Sequence, residues 1–233
     1  MTDATPQDTT TDRMIDAILS HVPFDGWSDA AFRAAVRDTG IDETLARGLF
    51  PRGARDLARA WHDRGDALMA ERLAAEDLSA MRYTERVTHA VRLRIETISD
   101  REALRRAMSQ NALPLNAPDG ARMLWQTADR IWTALGDTSE DYNWYTKRMT
   151  LSGVIGSTLL FWLGDDTPEN QATWDFLDRR IADVMQFEKV KAQAADNRFV
   201  SGLMKGPLSF LNKIKPPNGP GQTGMPGRWS GPG

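Results

Sequence analysis

Hydrophobic side chains recur at spacings of three and four residues along most of the chain, as they do on one face of an α-helix. The first 50 residues predict three short helices of this kind, joined by tight turns. Such proportions are typical of a helix-turn-helix module. Their bounds are set by predicted N-caps at Asp12, Ser28 and Asp42, and by Pro23, Gly40 and Pro51 at their ends.

Longer helical patterns follow, and no segment alternates with the period of a β-strand, so the fold class is predicted to be all-α. A helix from Ala54 to about Ala80 carries a narrow apolar stripe among many charges. The next one has Arg86, Arg92 and Arg94 on the side opposite its apolar residues, which predicts that they face solvent. Further helices are predicted over 101–113, from Pro118 to Gly136, over 141–164, and after an N-cap and first-turn proline at Thr167-Pro168.

The segment 141–164 has no charged residue between Arg148 and Asp165. It is shorter than the roughly 20 apolar residues that cross a bilayer, and hydroxyl residues dilute it, so we expect a central helix covered by protein. Its small residues would let another backbone approach closely, either that of a second subunit in a four-helix dimer bundle or that of a helix in the same subunit. These small residues are Ser152, Gly153, Gly156 and Ser157.

The net charge and the absence of cysteine exclude several classes of function. A formal net charge of −3 gives no overall attraction to nucleic acid or to an acidic membrane. The absence of cysteine excludes disulfides, thiolate metal sites and thiol nucleophiles, and it fits a reducing compartment. Residues 1–11 lack the apolar core of a signal peptide and are predicted to be disordered. We expect most of the eight tryptophans to fill the core or an interface.

Catalytic or metal-binding groups are not recognisable in the sequence. The histidines His21, His62 and His89 fall on separate predicted helices, and no glycine-rich phosphate loop or serine elbow occurs. The cluster Trp61-His62-Asp63 beside Asp66 lies in a heavily charged segment, so it is interpreted as a solvated face. No cofactor or metal is therefore predicted, and the third alternative function, an enzyme, would need a site assembled from distant residues.

The end of the chain divides into two segments. Residues 197–215 carry four basic side chains and no acidic ones, in a pattern typical of amphipathic helices at membrane surfaces. The alternative is a terminal helix packed on the body. Residues 216–233 contain five prolines and six glycines and are predicted to be disordered. The predicted membrane contacts are Phe199, Leu203, Met204, Leu208, Phe210, Leu211 and Ile214.

DNA binding by the helix-turn-helix-like module is disfavoured by charge. Its third helix offers Asp42, Glu43 and Arg47 where contacts to bases and phosphates need hydrogen-bond donors. From Phe24 to Arg64, seven arginines are balanced by seven acidic residues. We therefore expect no nucleic-acid partner.

Three segments, 49–54, 141–148 and 173–177, resemble the ubiquinone (coenzyme Q) biosynthesis accessory family, lipid-binding proteins with a TetR-like fold. The block from Asn143 to Arg148, Asn-Trp-Tyr-Thr-Lys-Arg, is the most specific of them, and the resemblance extends over roughly residues 13–214. It implies an all-α homodimer without enzymatic activity that binds isoprenoid or quinone lipids and assists the di-iron hydroxylase acting on demethoxyubiquinone. It also implies a C-terminal amphipathic helix that meets the membrane, and a docking patch formed by Tyr142, Asn143, Trp144, Tyr145 and Arg148.

The apolar helix faces are candidates for the lining of a lipid tunnel, the alternative being a filled core. These candidate lipid-binding residues are Val91, Ile95, Ile98, Leu124, Ile131, Leu135, Leu151, Val154, Ile155 and Leu159. The alternative function is that of a TetR-like, ligand-responsive transcriptional regulator.

The sequence also predicts how the chain is divided and where the protein is located. The predicted divisions are a disordered N-terminus (1–11), a helix-turn-helix-like module (12–53), a lipid-binding and dimerisation body (54–192), a membrane-associating helix (193–215) and a disordered tail (216–233). The chain begins close to its first helix, whereas mitochondrial members of the family carry a leader. We therefore expect a bacterial cytoplasmic protein, peripheral on the inner face of the cytoplasmic membrane.

Overall fold

The computed structural model describes residues 6–139 and 142–196, and within them every regular element is a helix, as predicted. The elements are α1 (Pro6–Leu19), α2 (Val22–Asp25), α3 (Asp29–Thr39), α4 (Glu43–Leu49), α5 (Ala54–Ala75), α6 (Tyr83–Glu96), α7 (Arg101–Asn111), α8 (Ala117–Ala134), α9 (Tyr142–Leu163), a 3-10 turn (Pro168–Asn170) and α10 (Gln171–Asp196).

Local signals set the bounds of the short helices. The hydroxyl of Ser28 accepts a hydrogen bond from the backbone of Ala31 at 3.2 Å, and the carboxylate of Asp42 caps α4 in the same way. Gly40 ends α3 with a left-handed φ of 65°. The predicted N-cap at Asp12 is wrong, because α1 begins six residues earlier at Pro6 and overlaps the segment that was expected to be disordered.

The helix α5 joins two hydrophobic cores. Its first half packs with α1 to α4 and α7, and its second half packs with α6, α8, α9 and α10. The helix ends at Ala75, about a turn earlier than expected. The first core includes Met14, Ile18, Phe32 and Leu57, with Trp27 and Trp61 at a ring separation of 5.7 Å. The second includes Met69, Val91, Ile131, Ile155 and Leu177.

The uncharged helix α9 buries one face only. Leu151, Ile155 and Leu159 lie in the second core, but Met149 is 66% exposed and Leu160 is 63% exposed. The described part of the single chain therefore covers this helix only in part, and the expected cover by a second subunit stays a prediction. An apolar strip of α9 faces solvent in the single chain.

The connection from α9 to α10 differs from the predicted helix start at Thr167-Pro168. It is a single 3-10 turn in which Glu169 and Asn170 have φ of 54° and 57°, and α10 begins after it. Asp165 accepts hydrogen bonds from the backbone and the hydroxyl of both Thr167 and Thr173. The hydrogen bonds from Thr167 and then from Thr173 hold the pKa of this buried carboxyl well below its ordinary value.

No helix in the described ranges is long and apolar enough to cross a membrane. The predicted membrane segment, Phe199 to Ile214, and the tail that follows it lie outside those ranges.

Candidate functional site

A cavity of about 1350 Å³ lies between the middle of α5, the start of the α6–α7 connection, α7, the first turns of α8 and the end of α9. Its walls are largely apolar. Charged side chains also line it, among them the exposed Asp16 of α1 and Arg105 of α7 and the half-buried Arg64 of α5. The larger apolar side chains are Trp61, Leu68, Ile98, Leu104, Met108, Met123, Leu124, Leu159, Leu160 and Leu163.

Three of the residues predicted to bind lipid, Ile98, Leu124 and Leu159, line this cavity. The other seven pack in or against the second core: Val91, Ile95, Ile131, Leu135, Leu151, Val154 and Ile155. The lining residues that the sequence reasoning missed lie mainly on α5 and α7. Helical periodicity identifies apolar faces but carries no signal for whether a face meets another side chain or an open space.

One wall of the cavity is polar and contains Arg94 of α6, and behind this wall Arg94 forms a buried ion pair with Asp66 of α5. Asp66 is fully buried and Arg94 is 7% exposed. The guanidinium also donates to Thr97 at 3.2 Å. The prediction that Arg94 faces solvent is therefore wrong, because the buried carboxylate of Asp66 needs a compensating cation and Arg94 supplies it.

His62 belongs to the same wall, so the interpretation of the 61–66 cluster as a solvated face is also wrong. Its Nδ1 lies 3.1 Å from Arg94 Nη2, and its Nε2 lies 3.1 Å from the carbonyl of Met123. A guanidinium can only donate, so Nδ1 accepts and Nε2 carries the proton. Burial, followed by the charge of Arg94, lowers the pKa of His62 to about 4, and the imidazole is neutral at pH 7.

The polar wall is balanced in charge but incompletely hydrogen bonded. Thr127 donates to one oxygen of Asp66 at 2.8 Å, whereas the other oxygen has no hydrogen-bond partner and lies 3.9 Å from Arg130 Nε. Burial raises the pKa of neighbouring Asp63. In the described part of the chain, no group of three or more histidine and carboxylate side chains has the arrangement of a metal site. The wall provides polar contacts at the edge of an otherwise apolar space.

The backbone of α5 comes unusually close to this wall at Gly65. A Cβ atom there would stand 3.0 Å from Arg94 Nη1 and 3.1 Å from the Thr97 hydroxyl. Glycine therefore permits the guanidinium to lie flat against the helix.

The predicted docking patch is an aromatic cluster at the start of α9. The rings of Trp144 and Tyr145 meet edge to face at 4.7 Å, and both contact Trp125 of α8, at 5.8 and 6.2 Å. Asn143 is exposed beside them, while the side chain of Tyr142 lies outside the described part of the chain. Half-buried aromatics next to an exposed amide are typical of interaction surfaces.

Arg148 lies beneath the aromatic cluster rather than on its surface. It is 3% exposed, its guanidinium stands 4.0 Å over the Trp144 ring, and it donates to Asp129. It and Lys147 also bind Asp137 in the α8–α9 connection. Burial alone would raise the pKa of Asp137, but the hydrogen bonds to Lys147 and Ser139 hold it below its ordinary value. Arg148 thus positions the aromatic rings, and the docking role of the patch stays a prediction.

The small residues of α9 fall into two environments. A Cβ at Gly156 would meet Leu124 of the same chain at 3.1 Å, whereas a Cβ at Gly153 would meet nothing within 4 Å. Gly156 therefore allows close packing inside the subunit. Gly153 lies on the open strip of α9, beside Met149 and Leu160.

Arg47, the one basic residue of the predicted recognition helix, is engaged inside the module. It pairs with Asp29 at 2.5 Å and lies 4.6 Å over the ring of Phe32. The hydrogen bond from Arg47 is the main cause that lowers the pKa of Asp29 below its ordinary value, and burial opposes this shift only in part.

Comparison with solved structures supports the fold. A TetR transcriptional regulator from Nitrosomonas europaea superposes with a TM-score of 0.61 at 18% sequence identity, covering 74% of this chain and 96% of that one. At this level of identity the likeness concerns the fold alone.

The family model and the known proteins that match this chain carry the same name, COQ9. The COQ9 family model matches residues 117–188. The mitochondrial ubiquinone biosynthesis protein COQ9 of Drosophila melanogaster is 28% identical over 186 residues, which are 78% of this chain and 57% of that protein. The rat protein of the same name is 29% identical over 210 residues, 86% of this chain and 67% of its own length. The chain thus spans between about half and two thirds of these relatives.

Both relatives are named as mitochondrial proteins, which contradicts the expectation of a bacterial cytoplasmic protein at the cytoplasmic membrane. That expectation rested on where the chain begins, and the position of the first residue carries no information about location. The resemblance drawn from the motifs is confirmed: the chain is similar to the COQ9 proteins of ubiquinone biosynthesis over most of its length.

Proposed function

We propose that this chain is a non-catalytic accessory protein of ubiquinone biosynthesis that holds an isoprenoid or quinone lipid in the cavity beside α5 and α7. The names of its relatives supply the pathway. The observation that carries the ligand class is the cavity of about 1350 Å³ with largely apolar walls. Pockets for small ligands usually enclose roughly 300–1,000 Å³, so this space suits a larger and mainly hydrocarbon molecule.

The energetics favour a chain-like apolar ligand. Each CH₂ group removed from water contributes about 0.8 kcal/mol, so about ten buried carbons contribute about 8 kcal/mol before the entropy of binding is subtracted. The polar wall orients such a ligand. A quinone carbonyl is an acceptor, and the guanidinium of Arg94, which lines the cavity, is a donor. The ring end would face Arg94, and the isoprenoid tail would follow Leu104, Met108 and Leu124.

The proposal is tested by filling the cavity. Met108→Trp adds a large side chain to the wall, and Met149→Trp makes the same change at an exposed position of α9. Mass spectrometry of gently purified protein should detect quinone or phospholipid in the parent and the control, and at least tenfold less in Met108→Trp. Equal lipid in both variants, or no lipid in the parent together with no binding of added quinone, would refute the proposal.

We also infer that the aromatic patch of Asn143, Trp144 and Tyr145 is where a partner hydroxylase docks. Asn143→Arg changes the exposed edge without touching Arg148, and Leu45→Arg is its control on exposed α4. Only Asn143→Arg should weaken capture of the hydroxylase in a pull-down, while both variants keep the melting temperature of the parent. Equal capture by both variants would place docking elsewhere.

A role as a DNA-binding regulator has less support. Arg47 is occupied by Asp29 and Phe32, and the module carries no excess of positive charge.

A further inference from the structure

The connection between α7 and α8 exposes four consecutive apolar residues, from Ala112 to Leu115. Leu113 is 57% exposed and Leu115 is 86% exposed. Single exposed leucines are common, but a run of four exposed apolar residues normally has a function.

The loop is held in this outward conformation. Asn116 is buried, its amide donates to the carbonyl of Gln110 at 2.9 Å, and its backbone donates to the carbonyl of Leu113 at 2.9 Å. These bonds fix the base of the loop and direct the leucines away from the body. Ala112 and Ala117, which lie on either side of the two leucines, line the large cavity. The exposed leucines therefore lie at the edge of the cavity.

A recess rich in arginine adjoins the base of the same loop. Arg52, Arg55, Arg59 and Arg122 line it, together with Asn116 and a single acidic residue, Asp119. Arg52 pairs with Asp56 and Asp119, and Arg59 pairs with Asp63. Within the described ranges, no ion pair involves Arg55 or Arg122, and both side chains belong to exposed residues. Two cations are thus available next to an exposed apolar loop.

We propose that the α7–α8 loop is a contact site for an anionic phospholipid surface. Leu113 and Leu115 enter the boundary between headgroups and acyl chains, and Arg55 and Arg122 bind lipid phosphates. Apolar insertion and attraction to anionic lipid add at such surfaces. The contact would place the cavity edge against the lipid from which a ligand enters, although it does not depend on what the cavity holds.

The experiment uses the full chain and two kinds of vesicle, phosphatidylcholine alone and phosphatidylcholine mixed with phosphatidylserine. Leu113→Ser/Leu115→Ser removes the apolar contacts, with Phe24→Ser/Leu45→Ser as a control at equally exposed positions. Arg55→Gln/Arg122→Gln removes the cations, with Arg37→Gln/Arg72→Gln as a control at exposed positions of α3 and α5. Cosedimentation measures the partition coefficient, and circular dichroism checks folding.

The leucine variant should bind mixed vesicles about tenfold more weakly than its control. The arginine variant should lose about fivefold per residue on mixed vesicles and little on phosphatidylcholine alone. Leucine and arginine variants that match their controls would overturn the proposal. So would dissociation of an oligomer by the leucine variant in sedimentation velocity, because a second copy would then cover the loop. Cavity lipid measured by mass spectrometry is a separate readout, so failure of this proposal and failure of the proposed function are distinguishable.

Discussion

Replacing His62 with glutamine should remove most of the contribution that His62 makes to the loss of stability in acid. The imidazole accepts from Arg94 through Nδ1 and donates to Met123 through Nε2. Glutamine can do both with its amide oxygen and nitrogen, but it does not titrate. His62→Gln therefore keeps the hydrogen bonds of the polar wall while removing its proton-binding equilibrium.

The size of the effect follows from the pKa of His62, which is about 4 in the folded chain against an ordinary value of 6.5. Because the folded pKa is the lower one, the stability contributed by neutral His62 is complete above pH 6.5 and is lost as the pH falls towards 4. Between pH 7.5 and pH 5.0 the wild type should lose about 2 kcal/mol relative to His62→Gln.

The assay is urea unfolding followed by far-ultraviolet circular dichroism at several pH values in this interval. Carboxylates titrate in both proteins, so their contribution largely cancels in the difference between the two free energies of unfolding. A difference that is constant with pH, or a wild type that gains stability relative to the variant in acid, would refute the assignment of His62 as a buried neutral imidazole.

Three further predictions concern packing and charge. Asp66→Ala should cost about 3–5 kcal/mol in urea unfolding because it leaves Arg94 buried without its partner, whereas Asp66→Leu combined with Arg94→Met should recover most of that loss. Gly153→Trp should leave the melting temperature of the subunit unchanged, since its Cβ meets nothing within 4 Å, but weaken a dimer formed through α9 by tenfold or more in sedimentation equilibrium. Asp165→Ala should lower the melting temperature at pH 7, and this deficit should shrink as the pH falls through the carboxylate range, because the wild-type pKa is depressed.

Sequence signals predicted three helix bounds whose deciding contacts are local. Ser28, Gly40 and Asp42 act within three or four residues of themselves, and each sits where its residue type indicates. The helix predicted to start at Thr167-Pro168 starts later, at Gln171, because Glu169 and Asn170 adopt positive φ. Asp165 binds the backbone of Thr173 in the first turn of α10.

The polar wall could not be predicted in this way, because its members are distant in sequence. Arg94 is 28 residues from Asp66, and Thr127 is 61 residues from it. Periodicity assigned Arg94 to a solvent-facing side, and only the folded arrangement of α5, α6 and α8 shows that this side meets a buried carboxylate. The same limit applies to the cavity, whose lining residues come from six helices, α1 and α5 to α9. Its apolar faces separately resemble ordinary core faces.

The position of Trp61 makes its intrinsic fluorescence a possible measure of ligand binding in the cavity. Its indole belongs to the cavity wall and also lies 5.7 Å from that of Trp27 in the first core. A quinone held in the cavity as proposed would lie near this pair, so quenching of its indole emission would report binding. Loading and release could then be followed in real time without a label.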